Sequence, residues 1–564
     1  MSHGLARGLT NYGDRDFALY LRRSFARSMG YSDAALAKPI VGIADSGSGF
    51  NNCHRHFPEL IAAVERGVLA AGGLPLRFPT ISLGEVFLEP TSMLYRNLMS
   101  MDVEEMIRAQ PMDAVVLVGG CDKTVPAQLM GAASANVPAI QLLAGPMMTG
   151  RHEGERLGAC TDCRRFWAKY RAGAITKDQI DGIEGRLATT SGTCAVMGTA
   201  STMACLTETL GMALPGTAAI PAVHADRLRA AEASGETAVR LARTGLTPDR
   251  ILTAAAFENA LRVLLAVGGS TNAVIHLTAV AGRVGVTLSL EALNRLSDET
   301  PVLVDLKPSG QHYMEDLFAA GGVGAVLREL APRLRLDCLT VTGETLGEWL
   351  AGPAGYVDRA VVRTADEPFQ AVGGLVALFG TLAPGGAILK RSAAGARLFE
   401  HEGRAVVFQS LDDLAARIDD PALDVTPDDV LVLKNAGPIG APGMPEAGYL
   451  PIPQKLSRAG VTDMLRISDA RMSGTAYGSI VLHVTPESAA GGPLRLVTSG
   501  DRIRLSVKER RLDLLVEAAE LERRAERVEA IAAPPRGYRR LYLDHVLQAD
   551  AGCDFDFLRH PSRR

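Results

Sequence analysis

Over its first two-thirds the chain alternates short apolar runs with stretches of helical spacing. Ile40-Val-Gly-Ile-Ala44 is apolar throughout and ends at Asp45-Ser-Gly, which predicts a buried strand followed by a loop. Leu60, Ile61, Val64, Val68 and Leu69 then recur every three to four positions, predicting a helix over 57–73 that stops at Gly72-Gly73. Ala114-Val-Val-Leu-Val118 reads as a second buried strand and ends at Gly119-Gly120. Pro138-Ala-Ile-Gln-Leu-Leu143 reads as a third, stopped by Ala144-Gly-Pro. Helical spacing returns over 197–212 and, more briefly, over 324–330, where Pro332 ends it. This is an α/β pattern, and such sheets bind ligands beyond the carboxyl ends of their strands.

From about residue 371 the pattern changes. Short β-like runs follow at close spacing: Leu375-Val-Ala-Leu-Phe, Ala387-Ile-Leu-Lys, Ala405-Val-Val-Phe, Val430-Leu-Val-Leu, Ile480-Val-Leu-His-Val, Leu494-Arg-Leu-Val and Arg502-Ile-Arg-Leu-Ser-Val. Turn signals such as Asn435-Ala-Gly-Pro separate them, which predicts a β-rich, barrel-like domain. A charged helix is expected over 512–532, and Glu85 is expected at the end of another strand. The expected division is an N-terminal α/β domain over 1–370 and a C-terminal barrel domain over 371–564.

Composition narrows the function. The 564 residues carry 59 basic and 63 acidic side chains, a net charge of −4, and only 5% aromatics. No cationic face is implied for nucleic acid or an anionic membrane, and few rings are available for base stacking. The first ten residues lack the apolar core of a signal peptide, and no apolar run is long enough to span a bilayer. A cytoplasmic protein is expected. Eight cysteines are too few for a disulfide scaffold of this size, which leaves metal or catalytic roles open for some of them.

Three cysteines lie in polar or Gly-rich turns: Cys53 in Ser46-Gly-Ser-Gly-Phe-Asn-Asn-Cys53, Cys121 in Gly119-Gly-Cys121-Asp122-Lys123, and Cys194 in Ser191-Gly-Thr-Cys194. Three thiolates can hold an iron–sulfur cluster and leave one iron open as a Lewis acid. Zinc is a rival, though its ligands usually come in close pairs. The close pair here, Cys160-Thr-Asp-Cys163, has no second pair nearby and reads as structural or incidental. Cys205, Cys338 and Cys553 read as ordinary core or surface thiols. Asp122 is a hard oxygen donor suited to Mg²⁺, or a turn cap. Lys123 can neutralise cluster charge, or ligate metal if carbamylated. Glu85 and Glu446, taken singly, read as solvated carboxylates. Ser473-Gly474-Thr475 forms a turn rich in backbone N–H groups that can bind a carboxylate, but it has no Gly-x-Ser-x-Gly frame.

Several of these stretches together resemble the dihydroxy-acid and sugar-acid dehydratases, the group that includes 6-phosphogluconate dehydratase. The resemblance rests on Gly-Cys121-Asp122-Lys123-Thr, on Ser-Gly-Thr-Cys194-x-x-Met-Gly-Thr-Ala-Ser-Thr-Met203, on Gly268-Gly-Ser-Thr-Asn-Ala273 and on Asp469-Ala-Arg-Met-Ser-Gly-Thr475. It runs from about residue 40 to 556. Pro90-Thr-Ser-Met-Leu-Tyr-Arg-Asn-Leu98 and Ala470-Arg-Met-Ser-Gly-Thr-Ala-Tyr477 resemble the aldonate branch. His54, where the family usually has Asn, and the Cys160–Cys163 segment are departures.

The resemblance implies an N-terminal α/β domain and a C-terminal β-barrel. It implies a [2Fe–2S] cluster on Cys53, Cys121 and Cys194, and Mg²⁺ on Glu85, Asp122, Glu446 and carbamylated Lys123. Ser473 is then the base, with Gly474 and Thr475 binding substrate. The implied reaction is dehydration of a pentonate or hexonate to a 2-keto-3-deoxy acid by a homodimer or homotetramer. The alternatives are a dihydroxy-acid dehydratase of branched-chain amino-acid synthesis and, more remotely, an electron-transfer iron–sulfur protein, which needs a fourth protein ligand.

Overall fold

A computed structural model of the chain describes residues 3–9, 11–446, 450–525 and 535–561. Four parallel strands form the first sheet: β1 (Ile40–Asp45), β2 (Leu74–Pro79), β3 (Ala114–Gly119) and β4 (Ala139–Leu143), in the order β2-β1-β3-β4. Their crossovers carry the helices Phe57–Ala70, Arg96–Ala109 and Thr124–Ala135. All residues of β1, β3 and β4 are buried, as continuous apolar runs covered on both faces require. A small hairpin, β5 (Gly150–His152) and β6 (Glu155–Leu157), follows. Helices then dominate, among them Thr161–Arg171, Thr199–Thr209, Ala225–Thr244, Ala254–Ala266, Asn272–Arg283 and Gly322–Leu330.

The second sheet has eight strands: β7 (Val376–Leu378), β8 (Gly386–Leu389), β9 (Glu400–Phe408), β10 (Val430–Leu433), β11 (Arg466–Ser468), β12 (Ile480–Thr485), β13 (Arg502–Ser506) and β14 (Arg511–Leu514). Their order is β14-β13-β9-β10-β11-β12-β8-β7, with β9 to β12 parallel. Phe379 and Arg511 bridge the two edge strands, so the sheet is nearly closed, which removes exposed edges. The apolar runs are explained by two cores. Ala405, Val407, Val430 and Val432 point into the barrel, while Val406, Phe408, Leu431 and Leu433 join a separate cluster outside it.

Three expectations need correction. The 494–497 run is a short 3-10 helix, Pro493–Leu496, because Pro493 cannot donate to a ladder and Leu494 caps the barrel core. The helix expected over 512–532 begins as β14, since Leu512 and Leu514 alternate into the barrel. A helix follows at Ala518–Ala525, and 526–532 lie outside the described residues. Glu85 does not end a strand: β2 stops at Pro79, and Glu85 sits in a turn beyond it.

The chain's end returns to the first body. Tyr542, Val546, Cys553 and Phe555 pack with Met93, Leu94 and Ile275, and buried Arg96 donates to the carbonyls of Gly552 and Cys553 at 2.8 and 2.9 Å. Among the described residues no helix is long and apolar enough to cross a membrane.

Candidate active site

Strand ends from both sheets converge. Asp122 and Lys123 follow β3, Glu446 lies in the loop after β10, and Arg471 and Ser473 follow β11. Lys123 is fully buried. Its Nζ bonds the Asp122 carboxylate and stands 3.9 Å from both Glu85 and Glu446. Arg471, also fully buried, reaches Glu446 at 2.7 Å and Glu85 at 3.3 Å. Glu85 further accepts from the hydroxyls of Thr91 and Ser92. Burial would raise Glu85, but Arg471, Lys123 and the two hydroxyls outweigh it and hold its carboxyl at about 2. Burial wins at Glu446, which is pushed up despite Arg471.

The thiols lie alongside. Cys53 lies against Cys121 and, with burial, pushes its thiol up, and the Cys121 sulfhydryl is 3.6 Å from Asp122 Oδ1. One wall therefore serves both groups. His54 ties the Cys53 turn to Cys121: its Nε2 accepts from the Cys121 N–H at 3.0 Å while Nδ1 meets the Ser46 carbonyl at 2.8 Å. Burial pushes His54 down to about 3, so it stays neutral and keeps that acceptor. Cys194 lies five residues before the Thr199–Thr209 helix. Its sulfur is 3.7 Å from that of Cys160, and Cys163 packs beside both on the same apolar cluster. The pair that reads as incidental in sequence thus belongs to the thiol group.

Ser473 sits on a turn clamped from three sides. Gly474 is pressed against the start of the Thr199–Thr209 helix: a Cβ there would fall 2.6 Å from Ser270 Cβ and 2.8 Å from Thr199 N. The Gly474 carbonyl faces Lys390 Nζ at 3.4 Å, and the Thr475 carbonyl accepts from Thr161 at 2.9 Å. The Ser473 hydroxyl contacts Thr475 Oγ1 at 2.9 Å and, unlike its buried neighbours, is partly exposed. Lys390 is buried, with desolvation lowering it to about 7. A cavity of about 1010 Å³ opens on Cys160, Cys163 and Tyr477, with Arg164, Arg171 and Lys177 among its lining; Glu85, Asp122 and Glu446 lie outside it.

Among the described residues no three His, Cys, Asp or Glu side chains are placed to hold a single metal ion, and at the carboxylates Lys123 Nζ occupies the centre. The donor chemistry nonetheless fits both groups expected. Around Lys123 the acidic donors are all hard oxygens, and carbamylation would turn that centre from a cation into a further oxygen donor. The other group is thiols alone, as an iron–sulfur cluster requires. The sequence reading missed Arg471, Lys390, Thr91, Ser92 and the role of Cys160. Arg471 lies inside a quoted motif, but nothing local marks which carboxylates it will meet.

The N-terminal model of the dihydroxy-acid/6-phosphogluconate dehydratases matches residues 38–349, and the corresponding C-terminal model matches 360–553. L-arabonate dehydratase of Azospirillum brasilense is 50% identical over 558 residues, covering 97% of this chain and 96% of the relative. The 6-deoxy-6-sulfo-D-gluconate dehydratase of Pseudomonas putida is 46% identical, with 93% and 91% covered. Dihydroxy-acid dehydratase of Desulfosudis oleivorans is 39% identical, with 94% and 97% covered. The chain belongs to the dihydroxy-acid/6-phosphogluconate dehydratase family of hydro-lyases, on the branch of the sugar-acid dehydratases.

Proposed function

We propose that the chain removes water from a 2,3-dihydroxy sugar acid, a pentonate or hexonate, to give a 2-keto-3-deoxy acid. The observation that carries this reading is the joint wall of Cys121 and Asp122, which sets a thiol group directly beside a carboxylate group. Glu85, Asp122, Glu446 and carbamylated Lys123 would hold Mg²⁺, and Cys53, Cys121 and Cys194 would hold a [2Fe–2S] cluster. When bound, these supply Lewis acidity at the acid end of the substrate and at its leaving C3 hydroxyl.

The protein's own groups do the rest. Ser473 takes the C2 proton. A serine hydroxyl is too weak an acid to do so unaided, so this role needs nearby positive charge to favour its anion. Gly474 and Thr475 offer the turn that positions the substrate carboxylate. Arg471 holds Glu85 ionised and orients both Glu85 and Glu446. The resulting enol tautomerises to the keto acid without further help.

Relatives named for sugar acids match at higher identity than those named for dihydroxy acids, which favours the aldonate over the branched-chain reading. The exposed Tyr12, Tyr20 and Phe25 near the N-terminus support a homo-oligomer, and eight free thiols are in keeping with a reducing, cytoplasmic setting. The test is to purify the protein without oxygen, add Mg²⁺, and compare three- to six-carbon aldonates with 2,3-dihydroxyisovalerate. Mg²⁺-dependent keto-acid formation from an aldonate is expected; preference for 2,3-dihydroxyisovalerate would overturn the substrate assignment.

A further inference from the structure

We propose that Cys160 is a fourth thiolate ligand of the iron–sulfur group held by Cys53, Cys121 and Cys194, sharing an iron with Cys194. The proposal rests on the iron–sulfur reading above and adds a ligand to it. Two thiolates on one tetrahedral metal, each about 2.3 Å from it, are about 3.8 Å apart. Cys160 and Cys194 stand at 3.7 Å.

That spacing is imposed by the backbone on both sides. The Ala195 N–H donates to the Ala159 carbonyl at 3.0 Å, which lays the two cysteines side by side. Behind Cys160, buried Asp162 accepts from the Gly158 N–H, Lys307 Nζ and the Tyr313 hydroxyl at 2.8 to 3.0 Å, fixing the first turn of the Thr161–Arg171 helix. Cys160, Cys163 and Cys194 pack on one cluster formed by Met147, Ala159, Ala195, Val196 and Tyr313.

Cys160 thereby takes the position that three-thiolate ligation leaves open, in the enzyme without substrate. An iron so held would be open to a substrate oxygen only once the Cys160 thiolate had left it with its electron pair, without net redox change, and Cys163 packs beside that thiol. A permanent fourth ligand would suit an electron carrier, but the carboxylates around Lys123 would then have no task.

The experiment compares anaerobically purified holoprotein of wild type, C160S and C163S. Iron and acid-labile sulfide per chain should stay at the wild-type level in both variants. C160S should shift the iron–thiolate stretching bands in resonance Raman and lose its visible absorption to a chelator about tenfold faster, while C163S keeps the wild-type bands. C160S bands identical to wild type would overturn the proposal. Should C160S fail to fold, alkylation of native wild type with iodoacetamide decides: Cys160 should be protected until the iron is chelated, and its modification in intact holoprotein overturns the assignment. A wild type without iron and sulfide would instead sink the underlying three-cysteine reading, so the two failures are distinguishable.

Discussion

Single side chains set the chemistry. Ser473, the base in the proposed reaction, is partly exposed among buried neighbours. Ser473→Ala is expected to retain the cluster absorption and lose activity by about 10²–10⁴-fold, the usual worth of a positioned base. Near wild-type turnover would remove it from that role. Lys390 gives a pH signature. The folded chain releases its proton near pH 7, whereas the unfolded chain does so near its ordinary value of 10.5. Unfolding therefore takes up a proton between these values, and stability from this source rises with pH across that window. In Lys390→Met, denaturation midpoints should rise less from pH 7 to 9 than in wild type; equal slopes would contradict burial of the amine. The residue scale was only partly legible in sequence. Cys121, Asp122 and Lys123 are marked by adjacency, whereas Glu85 and Glu446 taken singly read as solvated acids and only the family resemblance singled them out.

At the scale of elements, the strands were legible because burial on both faces writes continuous apolar runs. That same signal does not say where a strand pairs, so the 494–497 run passed for a strand until Pro493 curled it. Barrel closure depends on Gly380, whose φ of +154° and close approach leave no room for a side chain: a Cβ would lie 2.2 Å from the Leu512 carbonyl. Gly380→Ala should cost about 1–3 kcal/mol through strain at the β7–β14 seam. A thermal midpoint several degrees below wild type is expected, and an unshifted one would show that the seam relaxes freely.

At the scale of the whole molecule, the C-terminal segment straps the two bodies together. The side chains of Arg283 and Asp554 are fully buried and paired at 2.6 and 2.9 Å. Removing one partner of such a pair typically costs about 3–5 kcal/mol, because the other charge is left without compensation. Asp554→Ala should lower the unfolding midpoint while leaving the turnover of the residual native enzyme unchanged. A variant as stable as wild type would mean that Arg283 is satisfied by Glu104, Ser100 and Ser134 alone.

The sequence by itself determined the family, the α/β and barrel classes, and the side chains that follow β3, because these depend on local pattern and on residues adjacent in the chain. Only the tertiary structure decided that Arg471 serves Glu85 and Glu446, that His54 holds Cys121, and that Cys160 lies against Cys194. Those contacts join residues 25 to 386 positions apart, or depend on a single backbone pairing between Ala159 and Ala195. No local periodicity encodes such distances; they exist only once two sheets have turned their strand ends toward one site.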